Sequence, residues 1–218
     1  MPGPTVDELL VAGGPEPWGE LGFDVDGDAC DLGSLRVRFR PADPGRGIVG
    51  WSIRDAGSLD LDGIPTSTGG PPRGPAGPHP NGVVSVDHLV AMTPDLDRTV
   101  AALQAAAFDL RRVREDPTPG GAPRQAFFRM GDVILEVVQA PAGSRLAEDA
   151  QGPARLWGMA FLVDDLDATV SMLGERLGEP RAAVQPGRRI ATLRRETGLG
   201  PAIAFMSAAG ERRAPRDP

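Results

Sequence analysis

The pattern of apolar and polar positions between residues 83 and 143 predicts the order strand, helix, strand, strand, strand. Residues 84–92 are rich in apolar and β-branched side chains, which is typical of a strand. After Pro94, apolar side chains recur at helical spacing from Leu96 to Ala107. Three further strands are predicted at Leu110–Glu115, Arg124–Met130 and Val133–Gln139. This segment is expected to form a βαβββ module.

The same pattern recurs 70 positions later, so that residues 154–208 are expected to form a second βαβββ module. Its last two strands are predicted at Ile190–Arg194 and Ala202–Ser207. Residues that are identical under this shift are Asp95, Leu96, Asp97, Thr99, Val100, Leu103 and Arg111, which align with Asp165, Leu166, Asp167, Thr169, Val170, Leu173 and Arg181.

The rest of the chain is less regular. Residues 1–63 predict a short helix end and three strands, either as a degenerate half-module without its first strand or as an extension that covers a sheet edge. Residues 64–82 are dense in Pro and Gly and predict a linker or long surface loop without a helix or strand, in which His79 is solvent-exposed. Residues 209–218 are expected to be a disordered tail.

Composition narrows the classes of function. The 218 residues are 40% hydrophobic and 24% charged, as expected for a folded protein, and the net charge of -7 argues against nucleic-acid binding. A signal peptide and a membrane-length apolar run are absent from the sequence, which favours a cytoplasmic location. Cys30 is the single cysteine, so neither an internal disulfide nor a Cys-rich metal site can form. Phosphate-binding GxGxxG and nucleophile-elbow GxSxG motifs are also absent.

Two polar residues share one predicted sheet face. Period-2 alternation places His88 on a face with Val86, and places Glu136 on the corresponding face of the last strand. A carboxylate in the run VILEVV is costly to bury without a partner. His88 is the natural candidate for that partner.

These stretches resemble the vicinal oxygen chelate superfamily, which contains glyoxalases, bleomycin-resistance proteins and extradiol dioxygenases, and within it glyoxalase-like proteins of GC-rich bacteria. The likeness lies in VDHLVAMTPDLDRTV, GDVILEVVQAP, WGMAFLVDDLDATV and PGRRIATLRRE. It implies an α+β fold, in which paired βαβββ modules form a cupped, strongly curved mixed β-sheet with helices outside. It also implies that His88 and Glu136, in the first and last strands of a module, are metal ligands at the bottom of the cup.

The second module departs from this pattern. Gly158 stands at the position equivalent to His88, and Ala204 at the position equivalent to Glu136. Only two protein ligands then remain, whereas a catalytic site usually keeps three. The resemblance therefore implies either a weakly held divalent metal (Zn, Ni, Mn or Fe) or none, and dioxygenase chemistry is disfavoured.

Two functions follow from the resemblance and the shared face. The first is a lyase- or isomerase-type enzyme, in which Glu136 is the general base and His88 its partner. The second is a metal-free protein that binds or sequesters a small molecule, such as a drug. A small-molecule ligand is expected in both cases, and both a monomer and a homodimer are compatible with the sequence.

The expected pocket lining is mostly apolar. Within the arginine-rich segment 185–195 we favour Arg189 as a residue at the rim that meets an anionic ligand, and Arg129 and Gln125 are further candidates. The remaining lining residues are Val90, Met92, Ile134, Val138, Gly158, Ala160, Leu162, Ala204 and Met206.

Overall fold

The structure is a computed structural model and describes residues 3–41, 47–74, 76–117 and 121–209. The tail predicted at 209–218 lies outside the described residues except for its first residue. In the described part of the chain, no helix is long and apolar enough to cross a membrane.

The N-terminal third forms a five-stranded sheet with the strand order β2-β3-β1-β4-β5. Its elements are β1 (Thr5–Ala12), α1 (Glu16–Glu20), β2 (Ala29–Leu32), β3 (Leu35–Arg40), β4 (Ile48–Arg54) and β5 (Thr66–Thr68).

The remainder forms an eight-stranded sheet with the strand order β11-β12-β13-β10-β6-β9-β8-β7. The first module contains β6 (Val83–Thr93), α2 (Leu96–Ala105), β7 (Asp109–Arg114), β8 (Gln125–Met130) and β9 (Val133–Gln139). After the short helix α3 (Arg145–Glu148), the second module contains β10 (Arg155–Val163), α4 (Leu166–Leu173), β11 (Arg181–Ala182), β12 (Arg189–Thr192) and β13 (Ala202–Ser207).

Strand pairing confirms the predicted α+β fold and its βαβββ repeat. In each module the first strand pairs in parallel with the last, β6 with β9 and β10 with β13. The two modules meet where β6 pairs antiparallel with β10. One continuous mixed sheet therefore spans both modules.

Helices α2 and α4 share the same N-terminal cap and the same buried leucine positions. Asp95 and Asp165 are the N-caps of α2 and α4, and their side chains accept hydrogen bonds from the backbone N–H groups of Arg98 (3.0 Å) and Ala168 (2.9 Å). Such caps satisfy N–H groups that the first turn of a helix leaves unpaired. The leucines of the shared pattern, Leu96, Leu103, Leu166 and Leu173, are buried on both helices.

The five-stranded sheet repeats the pairing pattern of the larger sheet. Its order of antiparallel, parallel, antiparallel and parallel neighbours is the same as that of β12-β13-β10-β6-β9. It begins with its own first strand, β1, and it is a separate sheet. The half-module interpretation is corrected in one respect, because the first strand that it lacked is present as β1. The extension interpretation is corrected because β1 pairs with β3 and β4 and does not extend the eight-stranded sheet.

One face of the eight-stranded sheet is covered by the helices and by the five-stranded sheet. Phe161 of β10 packs against Phe23 with ring centroids 5.1 Å apart, and Trp51 of β4 stacks on Phe108 at 6.4 Å. On β9 the residues of this face, such as Leu135, are fully buried, whereas Glu136 on the opposite face is partly exposed. We call that opposite face, which carries His88 and Glu136, the cup face.

Residues 64–74 and 76–82 form hydrogen bonds with the rest of the protein, which corrects the interpretation of residues 64–82 as a linker without strands. Thr66–Thr68 form β5, and His79 is 7% exposed although it lies between two prolines. The Nδ1 atom of His79 accepts a hydrogen bond from the Asp24 backbone N–H at 2.9 Å, so Nε2 must carry the proton that bonds the Asp31 carbonyl oxygen at 2.9 Å. The ring is therefore neutral and structural.

This environment predicts that His79 makes stability depend on pH. Burial of the ring lowers the pKa of His79 below its ordinary value of 6.5. The unfolded chain then binds more protons than the folded one, so the free energy of unfolding should fall as the pH drops below about 6.5. Chemical denaturation of the wild type between pH 7.5 and 5.5 should show this loss, and His79→Gln should be less stable at pH 7.5 with a flatter profile. Equal slopes in the wild type and His79→Gln would contradict the prediction.

Candidate functional site

Cross-strand register arranges the cup face in three rows, because residues that are paired across a sheet lie on the same face. The first row, from the edge of the first module inward, is Arg129, Ile134, His88, Ala160 and Ala204. The second is Arg112, Phe127, Glu136, Val90, Gly158 and Ala202. The third is Arg114, Gln125, Val138, Met92 and Arg155.

Strand β6 has an extra residue, Asp87, at the centre of this face. His88 pairs with Ala160, and the next pair is Val86 with Phe161, so Asp87 is left without a partner on β10. Such a β-bulge changes the direction of the side chains that precede it. Val86 therefore lies on the covered face with Phe161, and the sequence prediction that it shares a face with His88 is wrong.

The bulge brings Asp87 onto His88. An oxygen of the Asp87 carboxylate is 2.8 Å from His88 Nδ1, and its other oxygen is 2.7 Å from an Nη atom of Arg188. Burial opposes the charge of Asp87, but the hydrogen bonds from His88 and Arg188 outweigh it and hold the pKa of Asp87 below its usual value. An ionised Asp87 can only accept, so Nδ1 of His88 must carry a proton. The Nε2 atom of His88 has no hydrogen-bond partner in the described residues.

Glu136 is largely withdrawn from water in the adjacent row. Burial raises its pKa above the ordinary value, although His88, a hydrogen bond from Gln125 Nε2 and the charge of Arg114 each act in the opposite direction. The sequence named His88 as the partner of this carboxylate, but His88 acts on it through charge and forms no hydrogen bond with it. The hydrogen bond comes from Gln125, which the sequence proposed as a site residue. The Gln125 Oε1 atom is buried without a donor among the described residues, so an acceptor stands beside Glu136.

The second-module half of the cup is closed rather than open. A Cβ atom at Gly158 would lie 2.9 Å from the Cβ of Ala202 and still closer to its carbonyl oxygen, so no larger residue fits there. Ala160 and Met206 are each only 1% exposed, whereas Leu162 and Ala204 are partly exposed.

The remaining predicted lining is brought together in the first-module half. Val90, Met92, Ile134 and Val138 flank Glu136 and His88 on the cup face, and each is partly exposed. The partly exposed ring of Phe127 lies beside Glu136 in the second row, and sequence reasoning missed it although strict alternation with Gln125 predicts it.

Arg188, and not its neighbour Arg189, is the arginine that contacts the cup face. Arg189, favoured by the sequence as the rim residue, binds both carboxylate oxygens of Asp167 on α4 at 2.7 and 2.9 Å, and it alternates with Ile190 of the cup face. Arg188 instead bonds Asp87 and the Ser207 carbonyl oxygen (2.9 Å). The assignment of Arg189 to the rim is thus corrected, because its helix-side partner Asp167 holds it.

The donor atoms do not fit the three-ligand metal site that the resemblance implies. His88 and Glu136 are the donors of the first module, and the backbone of Ala202 occupies the space where a ligand at Gly158 would stand. Within residues 3–41, 47–74, 76–117 and 121–209, no three His, Cys, Asp or Glu side chains are grouped so that they could hold a metal ion. Two donors alone would hold a divalent metal weakly.

A second concave region lies between the two sheets and contains different chemistry. A groove of about 1050 Å³ is lined by Ala12, Gly13, Leu156, the loop 192–202 and Trp157, which is 47% exposed. Its lining includes no histidine, and its charged side chains lie in the exposed loop 194–196. Among the described residues, His79 lines another concave region with Asp24 and Asp31, but backbone hydrogen bonds occupy both of its ring nitrogens. His88 lies in the row next to the buried carboxylate of Glu136 on the cup face, which is therefore the candidate site.

Comparison with known proteins finds similarity in solved structures. No family model and no curated protein matches the sequence. A methylmalonyl-CoA epimerase from Mycobacterium tuberculosis is similar over 59% of this chain and 90% of its own, with a TM-score of 0.48 and 20% identity. A variant of the Streptomyces coelicolor methylmalonyl-CoA epimerase, in complex with 2-nitronate-propionyl-CoA, is similar over 61% and 99%, with a TM-score of 0.48 and 21% identity.

A hypothetical protein from Bacillus halodurans is similar over 61% of this chain and 98% of its own, with a TM-score of 0.46 and 16% identity.

The incomplete donor set predicts weak metal binding. Protein freed of metal with a chelator should show no thermal shift at one equivalent of Zn, Ni, Mn or Fe(II), because two donors and no second-module ligand are present. Elemental analysis of the purified protein, which measures its metal content, tests the same prediction of weak metal binding. A stoichiometric metal that is lost in His88→Ala would show that the two side chains suffice, and would contradict this prediction.

Proposed function

We propose that the cup face is the active site of a small-molecule enzyme that transfers a proton at a carbon next to a carbonyl group, as an isomerase or lyase does. The observation that supports this most is a largely buried carboxylate, Glu136, in the row next to a histidine whose Nδ1 is fixed by Asp87. Two titratable groups in different environments on one face are the usual requirement for acid–base catalysis.

The roles of the two side chains follow from their surroundings. A carboxylate with a raised pKa is a stronger base than an ordinary one, so ionised Glu136 would take the carbon-bound proton. The electron pair of the broken C–H bond moves toward the carbonyl oxygen, which receives a proton from His88 Nε2. Asp87 stabilises the protonated imidazole at Nδ1 before this step and keeps the proton at Nδ1 after it. The enol O–H then gives its proton back to His88 Nε2, and water delivers a proton to the opposite face of the carbon while Glu136 releases its own proton to water. Both side chains are restored, and the isomerisation is complete.

This chemistry is carried by side chains of the chain itself. The described donors do not fit a three-ligand metal site, and no step is assigned to a divalent cation. The cytoplasmic location, and the choice between a monomer and a homodimer, stay predictions.

A second function is favoured by the apolar part of the cup face. Val90, Met92, Ile134 and Val138 surround the two polar groups and remain partly exposed, as in pockets that bind apolar ligands. A metal-free protein that sequesters a small molecule, as bleomycin-resistance proteins do, would use the same face. In that case Glu136 would serve as a hydrogen-bonding partner of the ligand.

The two functions predict different results for Glu136→Gln. An enzyme should catalyse the incorporation of solvent deuterium into a carbonyl substrate. Proton NMR measures this exchange for each member of a panel of 2-oxo acids and acyl thioesters. Loss of the base should slow this exchange about 100-fold or more. The thermal midpoint should not fall, because the change removes a charge that burial disfavours.

The matched control is Glu115→Gln, which removes an exposed carboxylate at the end of the neighbouring strand and should leave exchange unchanged. Exchange that survives in Glu136→Gln would refute the assignment of the base. A panel in which the wild type exchanges no compound would favour the binding protein.

A further inference from the structure

Three arginines lie near the outer edge of the cup face, one in each row. Arg129 is in the row of His88, Arg112 in the row of Glu136, and Arg114 in the row of Gln125. Arg114 is close enough to Glu136 for its charge to lower the pKa of that carboxyl. All three therefore border the first-module half of the cup, where the candidate acid and base stand.

Among the residues that the structure describes, none of these three arginines forms an ion pair with an acidic side chain. The charge of Arg114 acts on Glu136 without an ion pair, and Arg129 stands beside Asp109, which forms its ion pair with Arg111 at 3.1 Å. The guanidinium carbon of Arg112 lies 5.0 Å from the ring centroid of Phe127, which is a cation–π contact rather than an ion pair. The three guanidinium groups are therefore not engaged in ion pairs.

The outer face of the five-stranded sheet provides an internal comparison, because its arginines are paired. Arg36 binds Asp31 at 2.6 Å, and Arg38 binds Glu8 at 2.9 Å. Arg73 from the following segment also binds Glu8 at 2.7 Å. Among the described residues, six further arginines also form no ion pair: Arg145, Arg155, Arg176, Arg181, Arg194 and Arg195. What distinguishes Arg112, Arg114 and Arg129 is that they lie together on one face beside Glu136.

The surface between the arginines and the catalytic pair is apolar. Phe127 separates Arg112 from Glu136 within the second row, and Ile134 separates Arg129 from His88 within the first. A ligand that reaches from the arginines to His88 and Glu136 must therefore cross an aromatic ring and an aliphatic side chain. Arginine suits bidentate contact with carboxylate and phosphate oxygens.

From this arrangement we infer that the ligand of the cup is a small organic anion, whose carboxylate or phosphate group binds Arg112, Arg114 and Arg129 and whose apolar part lies on Phe127 and Ile134. The inference rests on the cup face being the site, as proposed above, and adds the chemical class of the ligand. It does not require proton transfer, so an enzyme and a binding protein would both show it.

Binding of phenyl phosphate and of benzoate to the isotopically labelled protein, followed by NMR chemical-shift titration, tests this inference. At least one of the two should bind saturably and shift the Phe127 and Ile134 signals, whereas neutral benzamide should not. The tighter of the two anions identifies phosphate or carboxylate as the preferred group. The double variant Arg112→Gln with Arg129→Gln should raise the Kd at least about tenfold, as expected from losing one charge-assisted hydrogen bond or more.

The matched control is the double variant Arg145→Gln with Arg195→Gln, which removes the same charge from exposed positions outside the cup rows and should leave the Kd within about twofold, since distant surface charges are screened. Equal weakening in both double variants, or saturable binding of benzamide, or no binding of either anion, would overturn the inference. Glu136→Gln should still bind the anion even when it no longer exchanges protons, so failure of the proposed reaction and failure of this inference are distinguishable.

Discussion

Strand β6 lies at the centre of the eight-stranded sheet, where it pairs with β9 of its own module and with β10 of the other. The pairing with β9 sets Glu136 one row from His88, and the pairing with β10 joins the two modules. The bulge at Asp87, within the pairing of β6 with β10, turns the preceding residue Val86 to the covered face while His88 stays on the cup face. Without that extra residue, the carboxylate of Asp87 would lie on the covered face and could not bind His88 and Arg188 together. The geometry of the candidate site therefore depends on how β6 pairs with β10.

The two sheets share a pairing pattern but differ in how their charges are arranged. In the five-stranded sheet, acids and arginines of the outer face neutralise one another, as Glu8 does with Arg38 and Arg73. On the cup face, Asp87 is paired, Glu136 is kept from water, and the arginines at the edge form no ion pair among the described residues. Paired surface charges contribute little energy and bind no ligand, whereas unpaired charges beside a buried carboxylate are the usual signature of a site. The chemistry is thus concentrated in one half of one sheet.

Much of the fold could be predicted from the sequence, because helices and strands carry periodic patterns. The 70-residue repeat predicted both modules, and the N-cap residues Asp95 and Asp165 confirm it in the structure. His88 and Glu136 could be placed on one face because β9 is regular. The face of Val86 could not, since a bulge inserts one residue without a compositional signal beyond an Asp-His pair inside a strand. His79 and Arg189 were misplaced for a related reason, because the partners that bury or bind them, such as Asp31 and Asp167, are distant in sequence.

The proposed role of the cup face in proton transfer depends most on Glu136, whose burial favours the protonated form of its carboxyl group. Carbon-detected NMR titration of the Glu136 carboxyl group in the full-length protein measures its pKa directly, with Glu136→Gln used to assign the signal. A pKa above the ordinary value of 4.5 is predicted, because loss of hydration outweighs the stabilising contacts from His88, Gln125 and Arg114. A pKa at or below that value would mean that Glu136 is an ordinary ion-paired carboxylate, and would contradict its role as the base of the cup.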